Sequence, residues 1–160
     1  MKRLGLLFLL VIPFLLARSD EPLPNGFVIW PSATLSSMAR SLSTEAASDP
    51  KRLAVRQLKD FPNDYFILAH READGQPEVH ETQVDVIVVQ SGSATLLVGG
   101  TLLNGETASP HEKRNGTIQG GVRQKIAVGD IIRIPAGMPH QMLLDGAHDV
   151  TYLVVKVKGY

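Results

Sequence analysis

Short apolar runs, separated by glycine, proline, asparagine and aspartate, fill the chain from Tyr65 to its end. They are rich in valine, isoleucine, leucine and tyrosine, which is typical of β-strands bounded by turns. The runs are YFILAHRE, DVIVVQ, ATLLVG, RQKIAV, DIIRIP, HQMLL and DVTYLVVKV. Because long helical segments do not alternate with them, the pattern predicts an all-β antiparallel sandwich or barrel rather than a parallel α/β sheet.

A helical pattern precedes these predicted strands. The apolar residues that share helical spacing are Leu35, Met38, Ala39, Leu42 and Ala46. They predict an N-terminal helix with Ser32 as its N-cap. We expect it to end by Asp49-Pro50, because a residue before proline is disfavoured in the α conformation. Residues 50–61 leave two alternatives open, a second helix after Asp49 or a strand from Leu53.

The first residues are typical of a secretory signal peptide. Lys2 and Arg3 precede an apolar segment, Leu4 to Ala17, and small residues at Ala17 and Ser19 fit cleavage after Ser19. The segment is shorter than the about 20 residues of a transmembrane helix, and an uncleaved anchor is the alternative. We expect a signal peptide at 1–19, a linker and helix at 20–49 and a barrel at 50–160. The expected location is secreted or periplasmic, with no stable membrane anchor after cleavage.

Composition narrows the range of functions. Lysine plus arginine balances aspartate plus glutamate, 16 against 16, which gives no electrostatic case for nucleic-acid binding. The nearest basic cluster, His111–Arg114, lies among loop-forming residues and is interpreted as a solvated loop. It belongs to the longest predicted irregular stretch, Asn104 to Gly121, and loops of that length are usually functional or mobile. The chain has no cysteine, which excludes thiolate metal sites and a cysteine nucleophile.

Metal-competent side chains converge in two segments. In PEVHETQVD, Glu78 and His80 are two positions apart, so on a strand they project from the same face. Asp85 begins the next predicted strand, and a tight turn would bring all three groups to one point. In GDIIRIPAGMPHQ, His140 follows two prolines and a glycine, and Pro139 fixes the backbone just before it.

The second of these segments resembles the second sequence motif of the cupins. Gly129, Pro135-Ala136-Gly137 and His140 stand in the order and spacing of that motif, and Leu144 stands where the motif ends in asparagine. The resemblance implies a double-stranded β-helix, or jelly-roll barrel, with the predicted helix at its N-terminal side. It also implies that Pro135 and Gly137 form a turn between two strands.

The first segment fits the first cupin motif in spacing. His80 and Asp85 stand at a histidine and a carboxylate of the motif, Gly92 stands at its closing glycine, and Glu78 replaces a histidine. The resemblance implies a metal site formed by Glu78, His80, Asp85 and His140. Imidazole and carboxylate ligands with open positions suit a divalent first-row metal, Fe, Mn, Ni or Zn, and the absence of sulfur argues against a closed structural zinc site.

A pocket in the barrel for a small-molecule ligand follows from the same resemblance. A metal-dependent dioxygenase, isomerase or decarboxylase is one hypothesis, and a metal-free cupin that binds a sugar or an organic acid without catalysis is the alternative. Candidate substrate contacts are Tyr65, Arg71, Arg123 and Gln124, and an arginine would suit a carboxylate. Because cupins often pair through outer strands, we also expect a homodimer.

Overall fold

A computed structural model describes residues 22–159 of the 160-residue chain, so the signal peptide predicted at 1–19 lies outside the described residues. Within them one helix precedes twelve strands. The elements are α1 Ser32–Ser48, β1 Leu53–Asp60, β2 Asp64–Arg71, β3 Glu78–His80, β4 Gln83–Val98, β5 Thr101–Leu103, β6 Glu106–Ser109, β7 Glu112–Arg114, β8 Thr117–Gln119, β9 Val122–Ala127, β10 Ile131–Ile134, β11 His140–Leu143 and β12 Val150–Lys158. No helix in this part of the chain has the length and apolar character needed to cross a membrane.

The apolar runs correspond to strands, as their composition predicts. YFILAHRE forms β2, RQKIAV forms β9, DIIRIP forms β10, HQMLL forms β11 and DVTYLVVKV forms β12. DVIVVQ and ATLLVG are two halves of one strand, β4, rather than two strands. Residues 50–61 contain β1, so the strand alternative for that segment is the correct one.

The helix boundaries differ from the prediction at one end. The helix ends at Ser48, before Asp49-Pro50, as predicted. Ser32 is not the N-cap, because Pro31 stands in that position and no side chain caps the helix. The Pro31 carbonyl oxygen accepts hydrogen bonds from the backbone N–H groups of Thr34 and Leu35, so the first turn already includes Ser32.

The helix packs on the outer faces of β1 and β2. Leu42 and Ala46 of the helix are completely buried in a cluster with Ala54 and Leu68. Just before the helix, the Trp30 ring contacts the Phe66 ring of β2, with ring centroids 4.9 Å apart. The N-terminal part of the described chain is therefore attached to the barrel through β2.

The long strand β4 joins the two sheets of the barrel. Its first part pairs with β12 and β10, and its last part pairs with β11 and β9. Gly92 lies where the partners change, with a φ of 71°. A Cβ atom at Gly92 would lie 2.2 Å from the carbonyl oxygen of Asp149, so the crossing requires glycine both for its conformation and for space.

The segment predicted as an irregular loop, Asn104 to Gly121, is ordered into short strands. β6 and β7 form a hairpin, β7 also pairs with β3, and β8 pairs with β5. The interpretation of His111–Arg114 as a solvated loop is wrong for Glu112–Arg114, which form β7 and place Glu112 directly opposite His80, whereas His111 is an exposed turn residue. Backbone hydrogen bonds between strands hold this segment together. Its sequence has no regular spacing of apolar residues, so the strands could not be predicted from it.

The interior of the barrel is apolar over most of its length. Its buried core includes Ala69, Ile87, Val89, Leu96, Ile126, Ile134, Met142, Val150, Tyr152 and Val154. On β12, Tyr152 and Val154 alternate with outward positions, and the next inward position is Lys156. The inner wall therefore changes from apolar to charged toward the end of β12.

Candidate metal centre

Three strands bring the four predicted ligands to the charged end of the barrel. Glu78 and His80 lie on β3, Asp85 lies on β4 and His140 begins β11. His140 is the cross-strand partner of Glu78. The side chains of His80, Asp85 and His140 belong to residues that are only 4%, 3% and 3% exposed, so their polar atoms must find partners inside the protein.

The distances between these groups are those of a compact cluster. Nε2 of His140 lies 3.3 Å from Oε1 of Glu78, and Nε2 of His80 lies 3.9 Å from Oε2 of the same carboxylate. One ligand atom each from Glu78, His80 and His140 lie within 4.8 Å of one another. Asp85 is not in that set, although its Oδ2 lies 3.5 Å from Nε2 of His80 and 3.8 Å from Nε2 of His140.

The turn before β11 fixes the direction of His140. The Met138 N–H donates to the Pro135 carbonyl oxygen at 3.3 Å, and Gly137 has the positive φ, 75°, that a type II turn requires at this position. The Gly137 N–H donates to the His80 carbonyl oxygen at 2.8 Å, which ties the turn to β3. The predicted turn at Pro135 and Gly137 is thus confirmed.

Both imidazoles turn the same nitrogen toward the cluster. Nδ1 of His140 donates to the Met138 carbonyl oxygen at 3.0 Å, and Nδ1 of His80 donates to the Glu112 carboxylate. In the neutral form of each ring, Nε2 therefore carries a lone pair directed at the centre, as in a histidine that binds a metal. Within residues 22–159, Nε2 of His140 and Oδ1 of Asp85 are buried without a hydrogen-bond partner. These donors fit a divalent cation.

Lys156 is a member of the cluster that the sequence interpretation missed. Its Nζ lies 2.5 Å from Nε2 of His80 and 2.8 Å from Oδ2 of Asp85. The β12–β4 register places Lys156 directly opposite Asp85, and the residue is buried. The signal was present in DVTYLVVKV, where Lys156 shares the inward face with Tyr152 and Val154 at alternate positions.

The β6–β7 hairpin supplies two further charged groups that the sequence interpretation missed. Besides holding His80, Glu112 accepts a hydrogen bond at 2.9 Å from Nε of Arg114. Nη2 of Arg114 lies 3.4 Å from Oε2 of Glu78, its partner across the β3–β7 ladder. Neither residue belongs to an apolar run or to a cupin motif, so only the pairing of the strands reveals them.

Opposite charges keep the buried carboxylates ionised. Burial raises the pKa of Glu78, but the adjacent His140 imidazole and the charges of His80 and Lys156 lower it more, so it falls well below its usual range. Burial likewise raises the pKa of Asp85, and His80 and Lys156 lower it overall. Burial lowers the pKa of His80, whereas hydrogen bonds to Asp85 and Glu112 raise it to about 9. The ionised carboxylates of the cluster therefore stabilise positive charge placed between them.

A cavity of about 130 Å³ adjoins the cluster inside the barrel. Glu78, Asp85, His140 and Lys156 line it together with the apolar core, Arg71 and Tyr152. Tyr65 lines a neighbouring groove with His80 and Lys156, and its hydroxyl group donates to Oε1 of Gln83 at 3.0 Å.

Two of the residues nominated as substrate contacts lie elsewhere. Arg123 and Gln124 are exposed on β9 and do not line the cavity or the groove beside the cluster. Nη2 of Arg123 lies 3.0 Å from Oδ1 of Asp145. Contact with substrate by Tyr65, Arg123 or Gln124 stays a prediction, as does metal ligation by the four clustered residues.

Comparisons with known proteins support the fold. No protein-family model and no curated protein sequence matches the chain. Among solved structures, it resembles an uncharacterized conserved protein with a double-stranded β-helix domain from Klebsiella pneumoniae, at 17% identity and a TM-score of 0.52, over 70% of this chain and 81% of that one. It also resembles recombinant oxalate oxidase in complex with glycolate, at 15% identity and a TM-score of 0.51, over 69% of this chain and 53% of that one. A third similar structure is the Cnp3 cupin domain of Schizosaccharomyces pombe, at 11% identity and a TM-score of 0.50, over 67% of this chain and 65% of that one.

Strand order and these likenesses define the class of protein, an antiparallel double-stranded β-helix. The chain has the cupin fold, which confirms the fold class that the two motifs implied: a jelly-roll barrel with an N-terminal helix. At such low identities the likeness concerns the fold. The chemistry is therefore argued from the residues of the cluster and its cavity.

Proposed function

We propose that the chain is a small cupin that holds a divalent metal ion, Fe, Mn, Ni or Zn, and binds a small polar metabolite beside it. The proposed ligands are Glu78, His80 and His140, with Asp85 as a further oxygen donor. One observation carries the proposal: both histidines donate Nδ1–H to a fixed oxygen atom of the protein and turn Nε2 toward the same carboxylate. That arrangement holds an imidazole ready for a metal.

The groups around the proposed ligands have distinct roles. Glu112 and the Met138 carbonyl oxygen fix the tautomers of the two imidazoles, and the apolar barrel wall limits water around the cavity. A bound divalent ion would polarise an oxygen atom of the metabolite and stabilise negative charge there. Dioxygenation, isomerisation and decarboxylation are the reaction classes implied by the cupin resemblance.

Metal analysis of the purified protein tests this proposal. After reconstitution with each of the four ions, we expect about one equivalent of metal per chain, lost in His80→Ala and in His140→Ala. His148→Ala is the matched control, because the His148 side chain is 90% exposed and pairs with Asp149, outside the cluster. Absence of metal from the wild type with every ion would refute the proposed site, and retention of metal in both variants would refute the ligand assignment.

A metal-free binding module is the second candidate function, and Lys156 favours it. The Lys156 amine already contacts His80 and Asp85, so it supplies a cation at the place where a metal would interact with them. A protein of this kind would bind a sugar or an organic acid in the cavity. The two candidates separate in one experiment: the metal-free module predicts the same stabilisation by ligand before and after chelation has removed all metal, whereas the metal centre predicts a smaller stabilisation afterwards.

We also propose that the protein is exported, as the first residues of the sequence indicate. The support is the pair Lys2 and Arg3, the apolar segment that follows them, and the small residues before a cleavage site at Ser19. Export would bring the cavity into contact with metabolites outside the cytoplasm. It would also place the cysteine-free fold in an oxidising compartment without changing its chemistry.

A further inference from the structure

Arg71 is a cation in the cavity wall whose charge is not balanced within the described part of the chain. On β2 it shares the inward face with Ile67 and Ala69, and all three line the cavity. Its buried Nε has no hydrogen-bond partner among residues 22–159. None of the ion pairs between these residues includes Arg71.

The backbone around Gly75 holds the guanidinium group in place. A Cβ atom on Gly75 would lie 3.1 Å from Cζ and from Nη1 of Arg71, so the guanidinium packs directly over the glycine. The Gly75 N–H donates to the Met142 carbonyl oxygen at 2.7 Å, and its own carbonyl oxygen accepts from Nε2 of Gln141 at 2.7 Å. These bonds anchor the loop to β11, which gives the charge a fixed position.

The other charged and polar groups of the cavity do not neutralise Arg71. Glu78 and Asp85 already interact with His140, His80 and Lys156. Tyr152 lies near Arg71 in the same wall, and burial raises the pKa of its phenol, so it is a neutral donor rather than an anion. A partly buried cation without a counter-ion is costly, and an anionic ligand would offset that cost.

We infer that Arg71 and Tyr152 form a subsite for the carboxylate group of a small organic acid whose apolar body fills the cavity. The inference deepens the proposed function, on which it rests, by naming the chemical class of the metabolite. The apolar body would contact Ile67, Ala69, Ile87, Leu96, Met142 and Val154. The cavity of about 130 Å³ is close to one that holds benzene, so a ligand of roughly six non-hydrogen atoms fits.

Geometry and charge favour a carboxylate over a dianionic phosphate. A guanidinium group matches the two oxygens of a carboxylate with two parallel hydrogen bonds. A single negative charge balances Arg71, whereas a second one would face the ionised Glu78 and Asp85 across the cavity. In the β2–β12 ladder Arg71 pairs with Val150 and Tyr65 pairs with Lys156, so Arg71 and Lys156 lie toward opposite ends of the cavity wall.

Calorimetric titration of the full chain with butyrate and butyramide tests the inference. The two probes have the same number of non-hydrogen atoms and differ in charge. In wild-type protein stripped of metal, butyrate should bind at least about tenfold more tightly than butyramide. Arg71→Gln should remove this preference. Arg123→Gln is the matched control, because that arginine lies outside the cavity and pairs with Asp145, and it should keep the preference.

A second variant guards against misfolding of Arg71→Gln. Arg71→Lys keeps the positive charge but lacks the two-pronged donor, so it should bind butyrate several-fold more weakly and butyramide as before. Equal binding of both probes by the wild type, no binding of butyrate, or unchanged butyrate affinity in Arg71→Lys would each overturn the inference. Because these titrations need no metal, their failure is distinct from failure of the metal proposal, which metal analysis alone decides.

Discussion

At the scale of single residues, Lys156 competes with a metal ion for the side chain of His80. Its Nζ lies 2.5 Å from Nε2 of His80, so it occupies the lone pair that a metal would use. It also pairs with Asp85. A metal can bind His80 only after the lysine side chain has moved away, and the repulsion between the two cations opposes binding until it does.

Replacing Lys156 by methionine should therefore strengthen metal binding. Methionine fills a similar volume without charge or donor hydrogens, so we expect the dissociation constant for Mn²⁺ to fall by about tenfold or more in Lys156→Met. Calorimetric titration measures the change. Lys158→Met is the control, because Lys158 lies on the same strand and pairs with Asp60 instead. An unchanged or weaker affinity in Lys156→Met would contradict the competing role of the lysine.

At the scale of elements, the β6–β7 hairpin adds charged groups to the site beyond the residues of the two cupin motifs. Glu112 of the hairpin holds His80 by a hydrogen bond. In sequence the hairpin lies between β5 and β8, which pair with each other. In that ladder Leu103 is the cross-strand partner of Thr117, so the residues between them are an excisable unit. Among the described barrel strands, the short β3 pairs with the hairpin, and the β5–β8 ladder forms without it.

Excision of residues 104–116, closed by an Asn-Gly turn, should leave the barrel folded and weaken metal binding. An Asn-Gly pair forms the tight turn that a two-residue hairpin requires. Loss of the Glu112 carboxylate removes the support of His80, which should cost about 10–100-fold in metal affinity. Glu112→Gln should reproduce most of this loss, whereas Glu106→Gln, in the same hairpin, should not. Full affinity after excision would show that the hairpin does not orient the histidine.

A second prediction at this scale concerns the stability of Gly92 variants, since Gly92 lies where β4 crosses between the sheets. Alanine there would require both a positive φ and a Cβ atom 2.2 Å from the Asp149 carbonyl oxygen. Gly146→Ala is the matched control, because Gly146 also has a positive φ, 88°, but open space around it. Urea denaturation should show Gly92→Ala to be less stable than Gly146→Ala by about 2 kcal/mol. Equal losses would mean that the conformation alone matters.

The elements also explain which parts of the structure could be predicted from the sequence. Strands such as β2 and β12 were predictable, because both of their faces are buried or half-buried and so leave a nearly continuous apolar run between turn residues. The turn before His140 was predictable from Pro135 and Gly137, because few sequences adopt that conformation. The β6–β7 hairpin was not, because its short strands are solvated on most faces, and so Glu112 and Arg114 were missed with it.

At the scale of the whole molecule, the cupin fold was predictable but the set of groups at the site was only partly so. The motifs nominate Glu78, His80, Asp85 and His140, and the fold brings them together. Lys156 comes from the last strand, far from both motifs in sequence, and the pairing of β12 with β4 places it opposite Asp85. The homodimer stays a prediction, and β1 and β6, the end strands of the described sheet, are candidates for such pairing.

Export is the prediction that concerns the first residues of the sequence. Expression of all 160 residues in a Gram-negative host should deliver a periplasmic protein whose N-terminal residue is Asp20, because cleavage is expected after Ser19. N-terminal sequencing of the periplasmic fraction measures this. Replacing Leu9 and Leu10 by arginine should keep the protein in the cytoplasm at full length. Recovery of uncleaved wild-type protein in the membrane fraction would support the anchor alternative.

The contact between Trp30 and Phe66 makes the chain a single-site optical probe. Trp30 is the only tryptophan in the sequence, and its ring lies against β2 immediately before the helix. Tryptophan emission therefore originates at one position, where the N-terminal segment meets the barrel. A red shift of that emission without loss of the β-sheet circular dichroism signal would mean that this segment detaches while the barrel stays folded.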